Sequence, residues 1–408
     1  MRKKGIMAAS HSIREIEPDR IFGVAKVAGD AIAKKGFDNV INSTIGALTD
    51  DNGNLLFLKS VMEHIRNLKD SDLAAYAPIA GLPEYLEAVK KAAFRDMMPD
   101  GYIKAIATPG GSGAIRHAIW NYSEIGEKVL TSDWYWGPYS IIAREHLREI
   151  TTYTLFNSDY SFNFNSFKER SDELIKEQGR LLAIINTPAH NPTGFSLTYD
   201  DWCKVVDYVK TKSEQITIFI DIAYIDFSGG MSEARRFFKL FENLPENVLI
   251  LVGYSMSKAF TLYGTRCGAL ISITSSKAVS EEFVNVCTFS NRGTWSNGTR
   301  LAMKTLTDIM TKEELLDKVD KERQEYRELL EKRAYAFVEE AKRIGLETCP
   351  YNGGYFISIP CDNPDELALK LREKDLYLVA LNKGIRFAPC AVSMEKCIKS
   401  PSIIKSCL

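Results

Sequence analysis

The stretch from Gly253 to Gly268, GYSMSKAFTLYGTRCG, holds residue types suited to covalent chemistry. The apolar run Asn247 to Val252 precedes it and is short and β-branched enough to be a buried strand. Two hydroxyl residues, Ser255 and Ser257, come next, then Lys258, and after Gly264 comes Arg266. A lysine at the end of a buried strand is costly to desolvate unless it is neutral, paired or used covalently. A neutral amine is a nucleophile, and lysine forms Schiff bases with carbonyl compounds. Ser255 and Arg266 would add a hydroxyl and a bidentate fork for a nearby phosphate. Taken alone, the stretch reads equally well as a surface loop carrying a solvated lysine and arginine.

Other polar groups follow apolar runs in the same manner. Thr108 to Ala114, TPGGSGA, opens a helix that runs to about Tyr122. Glycines with a serine at a helix start offer free amides and the positive end of the dipole to an anion. The segment has neither the lysine of a Walker A loop nor dinucleotide spacing, and a plain helix start explains it as well. The run Leu181 to Ile185 ends in Asn186 to Gly194, NTPAHNPTG, and the run Ile216 to Ile220 ends in Asp221-Ile-Ala-Tyr224. Arg386 stands in the otherwise apolar, strand-like Lys383 to Phe387, where either a bound anion or a structural salt bridge would pair it.

Elements must hold these residues in place. From Lys128 to about Thr274, apolar strands alternate with amphipathic helices, which predicts βαβ units and a mostly parallel sheet covered on both faces. Ligands of such sheets gather outside the carboxyl ends of the strands. Asn191, Asp221, Tyr224, Ser255 and Lys258 all fall at such ends. Thr198 is placed to cap the helix Tyr199 to Lys212, whose Trp202, Val205, Val206 and Val209 form one face. Val40 to Gly46 reads as a strand ending in glycine, and Gly23 to Lys35 as a weak helix. Thr311 to Gly345 reads as one long charged helix or two. Beyond it, the strands Tyr355 to Ile359 and Leu376 to Ala380, with the helix Asp365 to Lys374 between them, compose a smaller α+β unit. The expected fold is α/β: a three-layer αβα large domain over 46–305, and a small α+β domain formed by 1–45 with 306–408.

Composition bounds the function. The chain has 408 residues, 45% of them hydrophobic, and a net charge of -1. Near-neutral charge supplies no basic field for nucleic acid, and Arg2 to Lys4 reads as a solvated tail. No apolar run nears the roughly 18 residues of a membrane span. An N-terminus without the apolar core of a signal peptide leads to an expected cytoplasmic location. The eight cysteines and five histidines are dispersed, without metal-ligand spacing or a disulfide framework.

Taken together, the sequence resembles the fold-type I enzymes of pyridoxal 5'-phosphate (PLP), and within them the class I aminotransferases of the aspartate and aromatic type. Five motifs occur in that family's order between Gly46 and Arg386: the Gly-Ser-Gly loop, NPTG, Asp-x-x-Tyr, SxSK with its downstream arginine, and the C-terminal arginine. The resemblance implies that Lys258 forms the Schiff base with PLP. Asp221 would face the pyridine nitrogen, and Tyr224 with Asn191 the ring oxygen. Gly111, Ser112, Ser255 and Arg266 would cradle the phosphate. Trp136 would stack on the ring, with Tyr135 the second choice. Arg386 would hold the substrate α-carboxylate beside the backbone of Gly46. The family's homodimer implies that Tyr76, followed by Gly81-Leu-Pro83, reaches the phosphate of a second copy.

Substrate is the open point. Arg292 matches the residue that, in aspartate-type members, crosses the dimer to a distal carboxylate, which implies aspartate, glutamate or 2-oxoglutarate. A local ion pair or a dimer contact is the other reading of Arg292. Gly293 to Trp295 departs from the aspartate pattern, and Tyr139 replaces the histidine those enzymes carry behind Asp221. Aromatics at Trp134 to Tyr139 and at Trp295 keep an aromatic donor in view. The resemblance also admits a PLP-dependent lyase, of the carbon-sulfur β-lyase or aminocyclopropane-carboxylate synthase kind, since it would keep nearly the same cofactor residues. An aminotransferase-like transcription regulator would need a helix-turn-helix module, which the residues before Gly46 do not supply.

Overall fold

A computed structural model of the chain describes residues 7–13 and 20–408, so Arg2 to Lys4 lie outside the described residues. A short strand β1 (Ile41–Asn42) comes first. Seven strands then build the main sheet: β2 (Tyr102–Thr108), β3 (Lys128–Ser132), β4 (Glu149–Tyr153), β5 (Arg180–Asn186), β6 (Gln215–Asp221), β7 (Val248–Ser255) and β8 (Gly268–Thr274). Their order is β2-β8-β7-β6-β5-β3-β4, and β8 alone runs against its neighbours.

The central strands are buried on both faces, which is why they read as unbroken apolar runs. Successive side chains point to opposite faces. Ile218, Ile220, Ile250 and Val252 accordingly enter one apolar cluster, while Phe219, Leu249 and Leu251 enter another. Helix Tyr199–Lys210 packs on the first, starting at a capping box in which Thr198 and Asp201 satisfy each other's backbone amides.

A second core joins strands β9 (Ile357–Pro360), β11 (Val379–Leu381) and β12 (Gly384–Phe387), in the order β11-β12-β9, to helices Pro364–Glu373 and Met394–Lys405. Strand β10 (Leu376–Tyr377) pairs in parallel with β1 and so ties the N-terminal segment to this unit. Lys396 reinforces the tie, donating to the carbonyls of Phe37 at 2.6 Å and Val40 at 2.9 Å.

Three expectations are corrected. Only Ile41 and Asn42 of Val40 to Gly46 enter a strand, because the backbone beyond Ser43 turns to polar partners: the Thr44 carbonyl accepts from Arg386 and that of Gly46 from Lys258. Leu376 to Ala380 divides at Leu378, since its two halves pair with different strands, β1 and β12. Helix Tyr199 stops at Lys210, two residues early, and Thr211 takes the closing position. Strand β4, with mostly half-buried residues at the sheet edge, has too weak a pattern to be found from sequence. Thr311 to Gly345 resolves as one helix, Glu313–Ile344, stopped by Gly345 in the left-handed region at φ 70°.

That long helix takes part in a buried charge network. Arg323 donates to the carbonyl of Ala259 at 2.8 Å and to Asp320 at 2.8 Å, and lies 3.8 Å from Asp226. Arg235, fully buried, donates to Asp226 at 2.7 Å. Burial pushes the Asp226 carboxyl up, but Arg323, Arg235 and Arg95 together hold it below its ordinary range. Removing one partner of such a pair strands a buried charge. Asp226→Asn is expected to cost about 3–5 kcal/mol in urea unfolding at pH 7. A carboxylate with a depressed folded pKa contributes stability above the ordinary carboxylate range and loses it as pH falls, so the gap should close in acid. An unchanged unfolding midpoint at pH 7 would contradict this.

Candidate active site

The carboxyl ends of β5, β6 and β7 meet in register at one rim, where Asn186 pairs with Asp221 and Asp221 with Gly253. Because β8 runs backwards, its amino end lies at the same rim, with Gly268 opposite both Ser255 and Thr108. The reversal delivers Arg266, two residues before Gly268, to the start of helix Gly110–Tyr122. Gly110 has φ +69°, which favours glycine, and a Cβ there would stand 2.7 Å from Arg266 Nη2 and push the guanidinium from its place.

One end of the cleft is built for an anion. Gly111 and Ser112 occupy the first turn of that 13-residue helix, where amides lack intrahelical partners. Ser255 lies against Gly111, and its hydroxyl accepts from the Ser257 amide at 3.3 Å. Arg266 donates to the Ser257 hydroxyl at 3.1 Å and to the Tyr263 carbonyl at 3.2 Å. Free amides, hydroxyls and a guanidinium therefore converge, a donor set suited to a phosphate.

The other end is built for a cation. Asp221 is buried; its Oδ2 accepts from the Tyr139 hydroxyl at 2.7 Å and its Oδ1 from the Ala223 amide at 3.1 Å. Both donors are neutral, and among the described residues no cation pairs with the carboxylate. Burial raises the Asp221 pKa, and the two hydrogen bonds oppose that rise. Tyr139 also packs edge-on to Trp136, with ring centroids 5.6 Å apart, and stacks with Tyr135 at 6.4 Å.

Between these ends a chain of polar groups leads to the second core. Asn191 is fixed by its amide, which donates to Asn186 Oδ1 at 2.6 Å, within the turn that Gly194 closes onto the His190 carbonyl. Asn191 Nδ2 donates to the Tyr224 hydroxyl at 3.4 Å, and its Oδ1 accepts from Arg386 Nη1 at 3.2 Å. Arg386 Nη2 donates to the Thr44 carbonyl at 2.8 Å, while its buried Nε has no partner. The guanidinium lies 4.0 Å above the Phe356 ring. Burial lowers the Arg386 pKa to about 10, leaving it cationic at neutral pH.

Lys258 projects into this cleft from the end of β7, and its Nζ donates to the Gly46 carbonyl. Burial is the main cause of a Lys258 pKa lowered to about 8, with Arg386 and Arg266 lowering it further and Cys390 opposing them. Gly46 fits only as glycine, since a Cβ would come 2.5 Å from Phe356 Cζ.

The structure thus brings together Lys258, Asp221, Tyr224, Asn191, Arg386 and Gly46, with Gly111, Ser112, Ser255 and Arg266 at one end. Trp136 reaches the group through Tyr139. Two anticipated residues stay outside it in the single chain. The Tyr76 ring is 87% exposed. Arg292 is exposed at the end of helix Lys277–Thr294 and donates to the Ser296 hydroxyl at 2.7 Å. Its neighbours are anchored: Asn291 accepts from the His117 ring at 2.8 Å, and Trp295 stacks on that ring at 4.6 Å. Sequence reading missed Thr44, Phe356, Tyr263 and Tyr355. Thr44, Tyr355 and Phe356 meet the site only through tertiary contacts, hinted at by nothing beyond the aromatic pair after Gly353-Gly354, whereas Tyr263 lies in the same stretch as Lys258 and was passed over for its lysine and arginine.

Comparison with known proteins identifies the family. Residues 38–399 match the family model described as aminotransferase class I and II. The aspartate aminotransferase of Pseudomonas aeruginosa is 25% identical over 313 residues, which are 75% of this chain and 77% of that protein. A crystal structure of an aminotransferase from Anaerococcus prevotii has a TM-score of 0.96 at 38% identity and covers 98% of each chain. The aromatic-amino-acid aminotransferase of Burkholderia pseudomallei, covalently bound to pyridoxal phosphate, shares the fold at 24% identity, with a TM-score of 0.79 and coverage of 98% of this chain and 100% of that one. The chain belongs to the class I and II aminotransferases, a PLP-dependent family, and is an aminotransferase of class I.

Proposed function

We propose that the cleft holds PLP and moves the amino group of an acidic or aromatic L-amino acid to a 2-oxo acid in two half-reactions, that is, by ping-pong kinetics. The observation that carries this reading is the buried Asp221 carboxylate, which has two neutral donors and, among the described residues, no cation. Such a carboxylate calls for a protonated ring nitrogen opposite it, and the donor set at the helix start calls for a phosphate.

Gly111, Ser112, Ser255 and Arg266 would hold that phosphate, joined by Tyr76 of a second copy. Tyr224 and Asn191 would meet the ring oxygen, and Trp136 the ring face. When bound, PLP supplies an electrophilic carbon and a ring able to take up the electron pair left on the substrate α-carbon. Arg386 binds the α-carboxylate: its unpartnered Nε is available, and Nη2 can exchange the Thr44 carbonyl for a charged acceptor. Burial brings the Lys258 pKa down to about 8, within reach of neutral pH, and its Nζ would take up and give back the substrate α-proton. The Gly46 carbonyl orients that amine between the two events.

Homodimer formation follows from the same reading, because the exposed Tyr76 and Arg292 would serve a neighbour's site. We divide the chain into a large unit over 46–305 and a small unit of 1–45 with 306–408, a division supported by the cluster that gathers β9, β11 and β12 with Ile41 and by the β1–β10 pairing, while the long helix bridges the units, with Val319 in the large unit's core and Phe337 in the small unit's. All eight cysteines are free, which fits a reducing compartment such as the cytoplasm. No helix among the described residues is long and apolar enough to cross a membrane.

Mixing the holoenzyme with single amino acids should convert the PLP absorbance to that of pyridoxamine phosphate for aspartate, glutamate or an aromatic donor. A coloured protein that responds to no donor would sink the proposal. Arg292→Leu should lower kcat/KM for aspartate about 10²-fold while phenylalanine changes little, the size expected for an unpaired distal carboxylate. Equal losses would make Arg292 structural. Tyr139→Phe removes one donor from Asp221 and should weaken PLP binding roughly tenfold in equilibrium dialysis. Unchanged affinity would show that the Ala223 amide suffices.

A further inference from the structure

Lys258 has unusual company for a buried amine. Beyond the Gly46 carbonyl, its Nζ faces three aromatic rings, 4.6 Å from the centroid of Tyr263, 5.3 Å from Tyr355 and 5.8 Å from Tyr224. Among the described residues no carboxylate pairs with it. Ring faces within about 6 Å attract a cation, by up to about 2 kcal/mol where water is excluded.

The rings are held in place. The Tyr263 hydroxyl accepts from the Leu48 amide at 3.1 Å and lies 3.3 Å from the Tyr355 hydroxyl. Tyr355 is fully buried and packs against Tyr224 and Phe227, each with a centroid distance of 5.2 Å. Burial pushes the Tyr263 phenol up to about 12 and Tyr355 well above its ordinary value, so both rings stay neutral at working pH.

We propose that Tyr263 and Tyr355 are positioning residues for Lys258, forming with Tyr224 an aromatic cage that holds its protonated amine beside Gly46 whenever the amine is free of the cofactor. The proposal rests on the role given to Lys258 above. A base that takes a proton in a dry cleft must be able to hold a positive charge there. Burial, Arg386 and Arg266 all oppose that charge, and the nearby Cys390 thiol is itself pushed up to about 12. A carboxylate placed to help would compete for Arg386 and cancel the field that holds the substrate. Ring faces favour the ammonium without adding a formal charge. Lys258 Nζ would hold the proton taken from the substrate α-carbon and give it up again within the same half-reaction, so no net proton would be lost.

The test is the pH dependence of PLP capture by the full-length apoenzyme, followed by stopped-flow absorbance, since only a neutral amine attacks the aldehyde. Wild type should show a midpoint near 8. Tyr355→Phe keeps the ring and should leave the midpoint in place. Tyr355→Met keeps the bulk without the ring and should move it down by about one pH unit, because a less stabilised ammonium loses its proton sooner. Tyr263→Met removes a second wall and should shift it the same way, which keeps the test intact if one variant fails to fold. Methionine variants that capture PLP with the wild-type midpoint would overturn the cage, as would a Phe variant shifted as far as the Met one. Wild-type apoenzyme that captures no PLP at any pH would instead overturn the cofactor reading itself.

Discussion

The desolvated amine of Lys258 is the constraint on which the rest of the structure turns. An uncompensated ammonium inside a protein is expensive, and this one stands in a cleft with Arg266 and Arg386. Among the described residues no carboxylate offsets it, and the chain answers with dipoles and ring faces: the Gly46 carbonyl and three tyrosines. An amine held close to neutrality is what carbonyl chemistry needs. Each surrounding element serves that placement. Strand β7 carries the lysine to the rim, reversed β8 brings Arg266 to the same edge, and β12 supplies Arg386 from the second core.

The cleft is polarised along its length. Asp221 makes one end negative, while the helix start at Gly110, with Arg266, makes the other positive. A flat ligand with a protonated ring nitrogen and a phosphate matches that polarity, and a ligand of one charge sign does not. The long helix Glu313–Ile344 stiffens both sides of the cleft. Arg323 holds the carbonyl of Ala259 beside Lys258, and Arg333 holds the carbonyl of Thr49 at 2.7 Å, three residues beyond Gly46. Buried charge is thus spent on backbone groups adjacent to the site.

Much of this was legible in the sequence because strand ends announce themselves. A buried parallel strand is an apolar run, and the polar residues that follow it fall at the ligand-binding rim. Asp221, Asn191, Ser255 and Lys258 were found that way, and the order of the motifs gave the family. What stayed hidden has a common cause: it depends on contacts between segments far apart in the chain. Thr44 to Gly46 look like the tail of a strand, yet the carbonyls of Thr44 and Gly46 face Arg386 and Lys258, more than 200 residues away. Tyr355 and Phe356 look like the start of a strand, and nothing in their spacing marks one as a cage wall and the other as the floor beneath Arg386. Tyr76 and Arg292 matched motifs, but both are exposed and neither bonds to a residue of the single chain's cleft.

Borohydride reduction of the holoenzyme, followed by peptide mass mapping, tests most directly whether the amine of Lys258 meets the cofactor carbon. The geometry predicts one pyridoxyl group per chain, confined to the peptide that contains Lys258. Reduction at any other lysine, or a coloured protein that retains no pyridoxyl group, would contradict it.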